Sequence, residues 1–416
     1  MMLRWLPEEY SDRFQDAVSS LNAQTQRVYG CDLVLADYRQ KPGTLTSLEQ
    51  IWDAFADAGK VIDTLPGHPG EYLRAMLPGF KMILRVMQGD QIPYTQQIAD
   101  MQEIESRIIT DQQIAKLGDA LDKELYELGY HQTTVAEKTM QFLADTVLPA
   151  EEVVPTTKAF LKRCQDACKA KVLDLPDDDG IDEVYGLHNT IFSGNSAYLG
   201  NHKGKLSFNL DRPWSMPTFG NVLCHEGYPG HHAFYCHWDV LFQKGQLPLE
   251  GAYYVKNTPT NSLFEGVPEN ALHFLGWDDM TKDTPEIPDE QKRHFSAGRK
   301  IQDLQRMYQQ NACHFVNIDG MSKDDAVEYM IRSGLFQRSE GESAYRFFTD
   351  ATRRTYYNSY FYGRWLVANA YALFPEERKG EFYRLVYDNP HTNSTFIKAV
   401  QQATGKTFEP FATDVF

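Results

Sequence analysis

The sequence lacks three features that would each indicate a particular class of protein. Its 6 cysteines in 416 residues are too few for a disulfide scaffold. It contains no apolar run of about 18 residues, the length needed to span a membrane. The apolar stretch of a signal peptide is also missing from its first residues, MMLRWLPEEYSDRF. We therefore expect a cytoplasmic protein that does not use a membrane as its partner.

Positive charge is also scarce. The chain has 41 Lys and Arg residues against 57 Asp and Glu residues, a net charge of -16. The resulting negative field repels polyphosphate and anionic lipid, so we expect no nucleic-acid partner. The sequence shows no internal repeat of about 20 to 50 residues and no low-complexity segment, which excludes a solenoid. With 42% hydrophobic and 24% charged residues, the chain has the composition of an ordinary globular protein.

Hydrophobic periodicity predicts a mainly α fold. Apolar residues such as Tyr10, Phe14 and Val18 recur at helical spacing through the region 1–175. After an acidic turn at 176–180, interpreted as solvated, the period changes to two, and Leu206 and Phe208 alternate with polar residues. We predict a small antiparallel β-sheet at about 181–211, beside the helix that carries the candidate site. Helices are predicted at 217–243, 260–276, 290–317, 324–333, 339–373 and 377–386.

The length of the chain favours two lobes, because one hydrophobic core stops growing below this size. We predict a helical N-terminal region, 1–175, and a catalytic region, 176–416. The catalytic region would contain the small sheet, metal-binding helices at about 217–276 and the C-terminal helices. Both regions are expected to form a two-lobed, metallopeptidase-like unit with a cleft.

One segment has the residue types of a zinc site, beginning with His225 and Glu226 and ending with His231 and His232. A zinc hydrolase needs two histidines and a carboxylate to hold the ion and a second carboxylate to take a proton from water. The usual His-Glu-x-x-His spacing is absent, since Pro229 stands four residues after His225. On a regular helix His231 would point away from His225, and His232 would lie more than about 10 Å further along the axis.

Pro229 and Gly230 offer a solution, because this pair can interrupt the hydrogen-bond ladder of a helix. A bulge that absorbs two residues would bring His231 to the position that the second histidine normally occupies. We therefore predict His225 and His231 as ligands, with His232 as an alternative ligand or a neighbouring group.

The string from His225 to His232 resembles the His-Glu-x-x-Pro-Gly-His-His signature of a large bacterial family of predicted metallopeptidases, distant relatives of thermolysin-like enzymes. Their third zinc ligand is a glutamate in a Glu-Gly pair. This resemblance implies that Glu265, before Gly266, is the third ligand, with Glu269 as a rival or as a residue that orients a ligating histidine. The family usually has Glu-Gly-Trp and an aromatic residue in this motif, and the chain departs from it with Val267 and Pro268.

Two further candidate residues lie near the C-terminus, and the first follows from the resemblance. The family has a Ser-Tyr-x-x-Gly helix facing the metal, which implies that Tyr360 donates to the oxyanion of the reaction. Arg364, one turn later, would share its helical face and bind a substrate carboxylate, as in a carboxypeptidase. Arg353 and Arg354 compete with Arg364 for that role. The strand at 205–210 would pair with an extended peptide substrate.

The sequence therefore predicts a Zn²⁺-dependent hydrolase of peptide or other amide bonds, with Glu226 as general base. The same two histidines and one carboxylate also form the ligand triad of non-haem Fe(II) enzymes, which is one alternative. A non-catalytic helical protein that binds a metal or a peptide is another. The sequence indicates neither side-chain specificity nor an oligomeric state.

Overall fold

A computed structural model describes residues 2–190 and 193–413. It confirms the prediction of a mainly helical protein with small sheets. The α-helices are α1 Glu8–Tyr29, α2 Leu48–Ile62, α3 Gly67–Gln88, α4 Tyr94–Gln102, α5 Asp111–Glu127, α6 Val135–Asp145, α7 Ala150–Lys171, α8 Met216–Glu226, α9 His231–Gln243, α10 Asn261–Glu269, α11 Ala271–Phe274, α12 Asp289–Asn317, α13 Lys323–Arg332, α14 Arg338–Thr349, α15 Asn358–Ala372, α16 Lys379–Tyr387 and α17 Asn393–Thr404. Short 3-10 helices occupy Leu249–Gly251 and Glu376–Arg378.

The strands form three small sheets within the described residues. They are β1 Val34–Asp37, β2 Val147–Leu148, β3 Gly180–Leu187, β4 Gly194–Gly200, β5 Lys203–Asn209, β6 Trp214–Ser215 and β7 Tyr253–Val255. Strand β1 pairs with β7 and β2 with β6, both antiparallel, and the third sheet has the order β3-β5-β4. This third sheet occupies the segment predicted from the alternating pattern; Ile191 and Phe192 of that segment lie outside the described residues.

One pairing in the third sheet differs from the prediction. Strands β4 and β5 form an antiparallel hairpin, as expected, but β3 runs parallel to β5. Asn201 and His202 both have positive φ, 52° and 61°, as the tight turns of such hairpins require. The chain reverses direction between β3 and β4 and again in this hairpin, so β5 returns in the direction of β3.

The chain forms two units, and each is assembled from separate segments. Unit 1 contains Met1–Ser106, Tyr235–Gly266 and Ala351–Ala412; unit 2 contains Arg107–Phe234, Val267–Asp350 and Thr413–Phe416. The division expected between residues 175 and 176 coincides with no boundary of either unit. Local composition could not reveal this arrangement, because the segments of each unit are distant in sequence. Helices α9 and α10 each begin in one unit and end in the other.

The core of unit 1 shows why distant segments belong together. The apolar faces of α1, α2 and α3 meet at three phenylalanines: Phe14 lies edge-on to Phe55, with ring centroids 5.4 Å apart, and Phe55 stacks on Phe80 at 5.0 Å. Tyr253 and Val255 of β7 belong to the same buried cluster. The helical stripes read from the first third of the chain therefore pack around a strand from its middle.

Some of the predicted helices are interrupted in the structure, and some of the observed elements were not predicted. The segment 217–243 is broken between α8 and α9, and 339–373 is broken between α14 and α15. Helix α17 was not predicted, and neither were the strands β1, β2, β6 and β7, which have four residues or fewer and are too short for periodicity to reveal. In the part of the chain that the structure describes, no helix combines the length and the apolar character needed to span a bilayer.

Candidate metal site

The chain between α8 and α9 contains the interruption that the spacing of the motif required. The amide of Gly230 donates to the carbonyl of Cys224 at 3.1 Å, and the amide of Ala233 donates to that of Gly227 at 3.2 Å. Each bond spans six residues, whereas the bonds of a regular α-helix span four. Two extra residues are thus accommodated between the helices.

Gly230 is required in this turn because the backbone passes too close for a side chain. A Cβ atom at this position would lie 1.9 Å from the carbonyl oxygen of His225 and 2.4 Å from that of Cys224. Any other residue would therefore push α9 away from the end of α8. The glycine of the motif fixes the spacing between the two helices that carry the histidines.

The turn brings His225 and His231 together. Their ring centroids are 4.7 Å apart, and the rings are nearly perpendicular, at 84°. His225, His231 and Glu265 form a group in which one potential ligand atom from each residue lies within 4.8 Å of the other two. His231 and Glu265 are buried. Two imidazole nitrogens and one carboxylate oxygen are ligands that Zn²⁺ accepts, and three protein ligands leave a fourth position for water. The donor set therefore fits this ion.

His232, the alternative ligand, lies outside this group. Its Nε2–H donates to Oδ1 of Asp179 at 2.8 Å, and the hydroxyl of Tyr228 donates to the same oxygen at 3.2 Å. Gln165 donates to the other carboxylate oxygen at 2.9 Å. Burial alone would raise the pKa of Asp179, but these bonds, the one from His232 first, hold the pKa below its ordinary value. The hydrogen bond between His232 and Asp179 thus holds the turn between α8 and α9 in place.

Asp179 is a residue that sequence reasoning missed. The acidic turn at 176–180 was predicted to be solvated, whereas the side chain of Asp179 is fully buried. Asp178 in the same turn is exposed and contacts His202 at 2.9 Å. Neighbouring identical residues offered no signal that would distinguish the buried member, because its partner His232 lies 53 residues away.

Glu269, the rival ligand, lies close to the imidazole ring of His225. Its Oε1 is 3.6 Å from Nδ1 of His225, and the same oxygen accepts a hydrogen bond from Arg306 at 2.7 Å. Among the described residues, the group of three potential ligands includes Glu265 and not Glu269. A carboxylate in the position of Glu269 can orient an imidazole and increase its basicity.

Glu265 is held where α10 touches α15. A Cβ on Gly266 would lie 2.2 Å from the carbonyl oxygen of Gly363, and one on Gly363 would lie 2.1 Å from that of Ser262. The glycines of the Glu-Gly pair and of the Ser-Tyr-x-x-Gly segment therefore allow α10 and α15 to meet backbone to backbone. This contact brings Glu265 close to the tyrosines that precede and begin α15.

Tyr356, like Asp179, is a residue whose contact near the site the sequence did not reveal. Its hydroxyl donates to Oε1 of Glu265 and lies 2.7 Å from the hydroxyl of Tyr254. Burial, with the charge of Glu265 second, raises the pKa of Tyr356 far above its ordinary value. The phenol therefore stays protonated, donates to the carboxylate and fixes its orientation.

The remaining predicted residues occupy different environments. Glu226, the last residue of α8, is buried, with 8% of its surface exposed. Tyr360 is partly exposed, and its ring lies edge-on to that of Tyr356 at 5.7 Å. Arg364 is only 1% exposed, and its guanidinium carbon lies 5.2 Å from the ring centroid of Trp365. A substrate could reach Arg364 only after a rearrangement of the side chains that cover it.

Comparisons with known proteins give a likeness in fold. No family model and no curated protein sequence matches the chain. A solved structure from Colwellia psychrerythraea is similar with a TM-score of 0.58 and 13% identity, over 94% of this chain and 70% of that one. A second, from Shewanella oneidensis, has a TM-score of 0.50 and 12% identity, over 94% of this chain and 73% of that one. Both are described as a "putative lipoprotein", the second of unknown function. At these identities the likeness shows the fold alone.

A lysine that the motifs did not include lies near Glu265 within unit 1. Nζ of Lys256 is 5.9 Å from the ring centroid of Tyr356, and its backbone amide donates to the carbonyl of Leu33 at 2.9 Å. Burial and the neighbouring charge of Arg353 lower the pKa of Lys256, while Glu265 acts in the opposite direction. The surroundings of the candidate ligand thus include a cation as well as phenol donors.

Proposed function

We propose that the protein is a zinc-dependent hydrolase of peptide or other amide bonds. The observation that carries the proposal is the group of His225, His231 and Glu265, with ligand atoms within 4.8 Å of one another. Glu226, adjacent to His225 in sequence, supports a hydrolytic role, because a second carboxylate is needed to take a proton from water.

His225, His231 and Glu265 would hold the ion. When bound at such a site, Zn²⁺ lowers the pKa of a coordinated water from 15.7 toward about 7 and polarises a carbonyl oxygen. Tyr356 would keep the carboxylate of Glu265 oriented through its hydrogen bond, and Glu269 would orient the ring of His225 from its Nδ1 side.

Two side chains of the protein would act on the substrate. The carboxylate of Glu226 would accept the proton of the attacking water and return it to the leaving nitrogen as the C–N bond breaks. Tyr360, whose ring lies against Tyr356, would donate its hydroxyl hydrogen to the oxygen of the tetrahedral intermediate, a contribution of about 3 kcal/mol in comparable sites.

Hydrolysis of a mixed peptide library is the decisive experiment. We expect cleavage that is abolished by phenanthroline and restored by added zinc, with the products identified by mass spectrometry. Activity that returns with iron and oxygen but not with zinc would favour an Fe(II) enzyme. Stoichiometric zinc binding without cleavage of any peptide, amide or ester would favour a binding protein and reject the hydrolase.

A substitution at Glu226 tests its role separately from metal binding. The Glu226→Gln protein should retain zinc and lose turnover by about 10²- to 10⁴-fold, because the neutral amide cannot accept a proton. Glu49→Gln, an exposed site in α2, is the matched control and should retain full activity. Equal turnover of Glu226→Gln and the control would refute the assignment of the base.

We propose the cytoplasm as the location and a peptide, with no nucleic acid or membrane, as the partner. The net charge of -16 supports the exclusion of nucleic acid. The similar structures described as lipoproteins make the location worth testing directly. Fractionation of cells that produce the full-length protein should recover it with cytoplasmic markers, and its recovery with membranes would overturn this part of the proposal.

A further inference from the structure

The side chain of Lys256 is a candidate recognition group for an anion. Among the residues that the structure describes, no carboxylate lies within ion-pair distance of its Nζ, and Nζ makes no hydrogen bond. Lys256 is partly buried, and a cation that is partly removed from water favours a nearby negative charge. The side chain nevertheless extends over the ring of Tyr356 at 5.9 Å, a weak contact for a cation.

The charges around Lys256 also favour the binding of an anion. The cation Arg353 acts on Lys256 electrostatically and lowers its pKa, whereas Glu265 and Asp32 act in the opposite direction. If Glu265 binds a divalent cation, its negative charge no longer offsets Lys256. The local balance then becomes positive, which favours a ligand that carries negative charge.

We propose that Lys256 binds a carboxylate group of the substrate. The inference rests on the proposed function, because it places a recognition group one aromatic ring away from the candidate ligand Glu265. The backbone of Lys256 extends the pairing of β1 with β7, which fixes the base of the side chain, and its Nζ lies 5.9 Å from the ring centroid of Tyr356. A carboxylate here could be the C-terminus of a peptide or an acidic side chain, and Lys256, rather than the buried Arg364, would recognise it.

Binding of small probes tests this inference independently of turnover. N-acetyl derivatives of alanine, leucine, phenylalanine and lysine would be titrated calorimetrically as free acids and as amides, together with N-acetyl-glutamic acid α-amide. We expect at least one carboxylate probe to bind about 10- to 100-fold more tightly than the matching uncharged amide, as expected for a charged hydrogen bond. Preference for free α-acids would identify a C-terminal carboxylate, and preference for the glutamic acid α-amide would identify an acidic side chain.

The variants decide whether Lys256 causes this preference. Lys256→Met should bind acid and amide equally, Lys256→Arg should retain most of the preference, and Lys244→Met, which removes an exposed lysine, should behave as the wild type. Thermal melts check that each variant is folded, and failure of Lys256→Met to fold leaves the decision to a second uncharged variant, Lys256→Gln. Equal binding of acids and amides by the wild type, no binding of any probe, or a preference that survives removal of the charge would overturn the proposal.

Zinc content and peptide cleavage, measured on the same samples, separate this inference from the proposed function. A carboxylate preference that depends on Lys256 in a protein without zinc or cleavage would retain the anion site and reject the hydrolase. Cleavage that does not distinguish acids from amides would retain the hydrolase and reject the anion site.

Discussion

Two histidine pairs among the described residues have nearly the same geometry and very different surroundings. The rings of His225 and His231 are 4.7 Å apart at 84°, and those of His68 and His391 are 4.9 Å apart at 71°. In the first pair Glu265 completes a group of three potential ligands, and Glu269 approaches from outside. Among the described residues, no such group includes the second pair.

The second pair is arranged as a neutral structural contact. His68 donates from Nε2 to the carbonyl of Pro390 at 3.0 Å. Burial lowers the pKa of His391 to about 3, and the neighbouring His68 contributes to the shift. Two imidazoles in contact therefore do not define a metal site. The first pair differs in having Glu265 and Glu269 beside it, which could supply the negative charge that a divalent cation requires.

The largest expected difference between the pairs is in zinc affinity. His231→Gln should weaken zinc binding by more than about 100-fold, since removal of a ligand should exceed the 10- to 100-fold effect of outer partners. His391→Gln should leave it unchanged. Competition with a chromophoric chelator measures both. The comparison would fail if both variants bound zinc as tightly as the wild type.

A substitution in the turn between α8 and α9 should disturb the first pair without changing either histidine. Gly230→Ala would place a Cβ 1.9 Å from the carbonyl oxygen of His225, so we expect a loss of about 3 kcal/mol or more in the free energy of unfolding, together with weaker zinc binding. Gly118→Ala, where a Cβ would meet no atom within 4 Å, should be neutral or slightly stabilising. Denaturant titration compares the two, and similar stabilities would contradict the role of Gly230.

The second pair should make the free energy of unfolding depend on pH. The folded state keeps His391 neutral down to about pH 3, whereas the unfolded chain takes up a proton near pH 6.5. The stabilisation is therefore complete above pH 6.5 and is lost as the pH falls toward 3. Between pH 7 and pH 5 the loss attributable to His391 should be about 2 kcal/mol.

This pH effect is measured by comparing wild type with His391→Gln in denaturant titrations at both pH values. The wild type should lose more stability than the variant, because other titrating groups are common to both proteins. A variant that loses as much stability as the wild type would show that His391 does not carry the depressed pKa.

The smallest expected effect concerns the outer carboxylate of the first pair. Glu269→Gln keeps the shape of the side chain but removes its charge beside His225, so zinc affinity should fall by about 10-fold. Glu71→Gln, which alters the carboxylate electrostatically coupled to His68, should not affect zinc. An unchanged zinc affinity in Glu269→Gln would assign Glu269 to its ion pair with Arg306 alone.

Much of the fold could be predicted because the pattern that identifies a helix is carried by residues close along the chain. The spacing of apolar residues indicated α1 and α12, and the alternation before the metal motif located β3 to β5. The strands β1 and β7 could not be predicted, because each is stabilised by the other across more than 200 residues. The boundaries of the two units depend on the same kind of distant contact.

The candidate site divides in the same way. The motif itself contained the two histidines, the general base and the Pro-Gly pair that permits a bulge, so the prediction of a bulge needed only helix geometry. The roles of these residues remain predictions. The choice between Glu265 and Glu269 stayed open because both lie on one short helix, and its orientation depends on the contact of Gly266 with Gly363.

The sequence by itself determined which groups are available for chemistry and where the helix must be interrupted, since both depend on residues close along the chain. Only the tertiary structure decided which histidine faces the carboxylate of Glu265, that His232 is held by Asp179, and that Lys256 lies near the candidate ligand. These contacts join residues far apart in sequence, and packing of whole helices and strands determines them. No local pattern of hydrophobicity encodes such contacts.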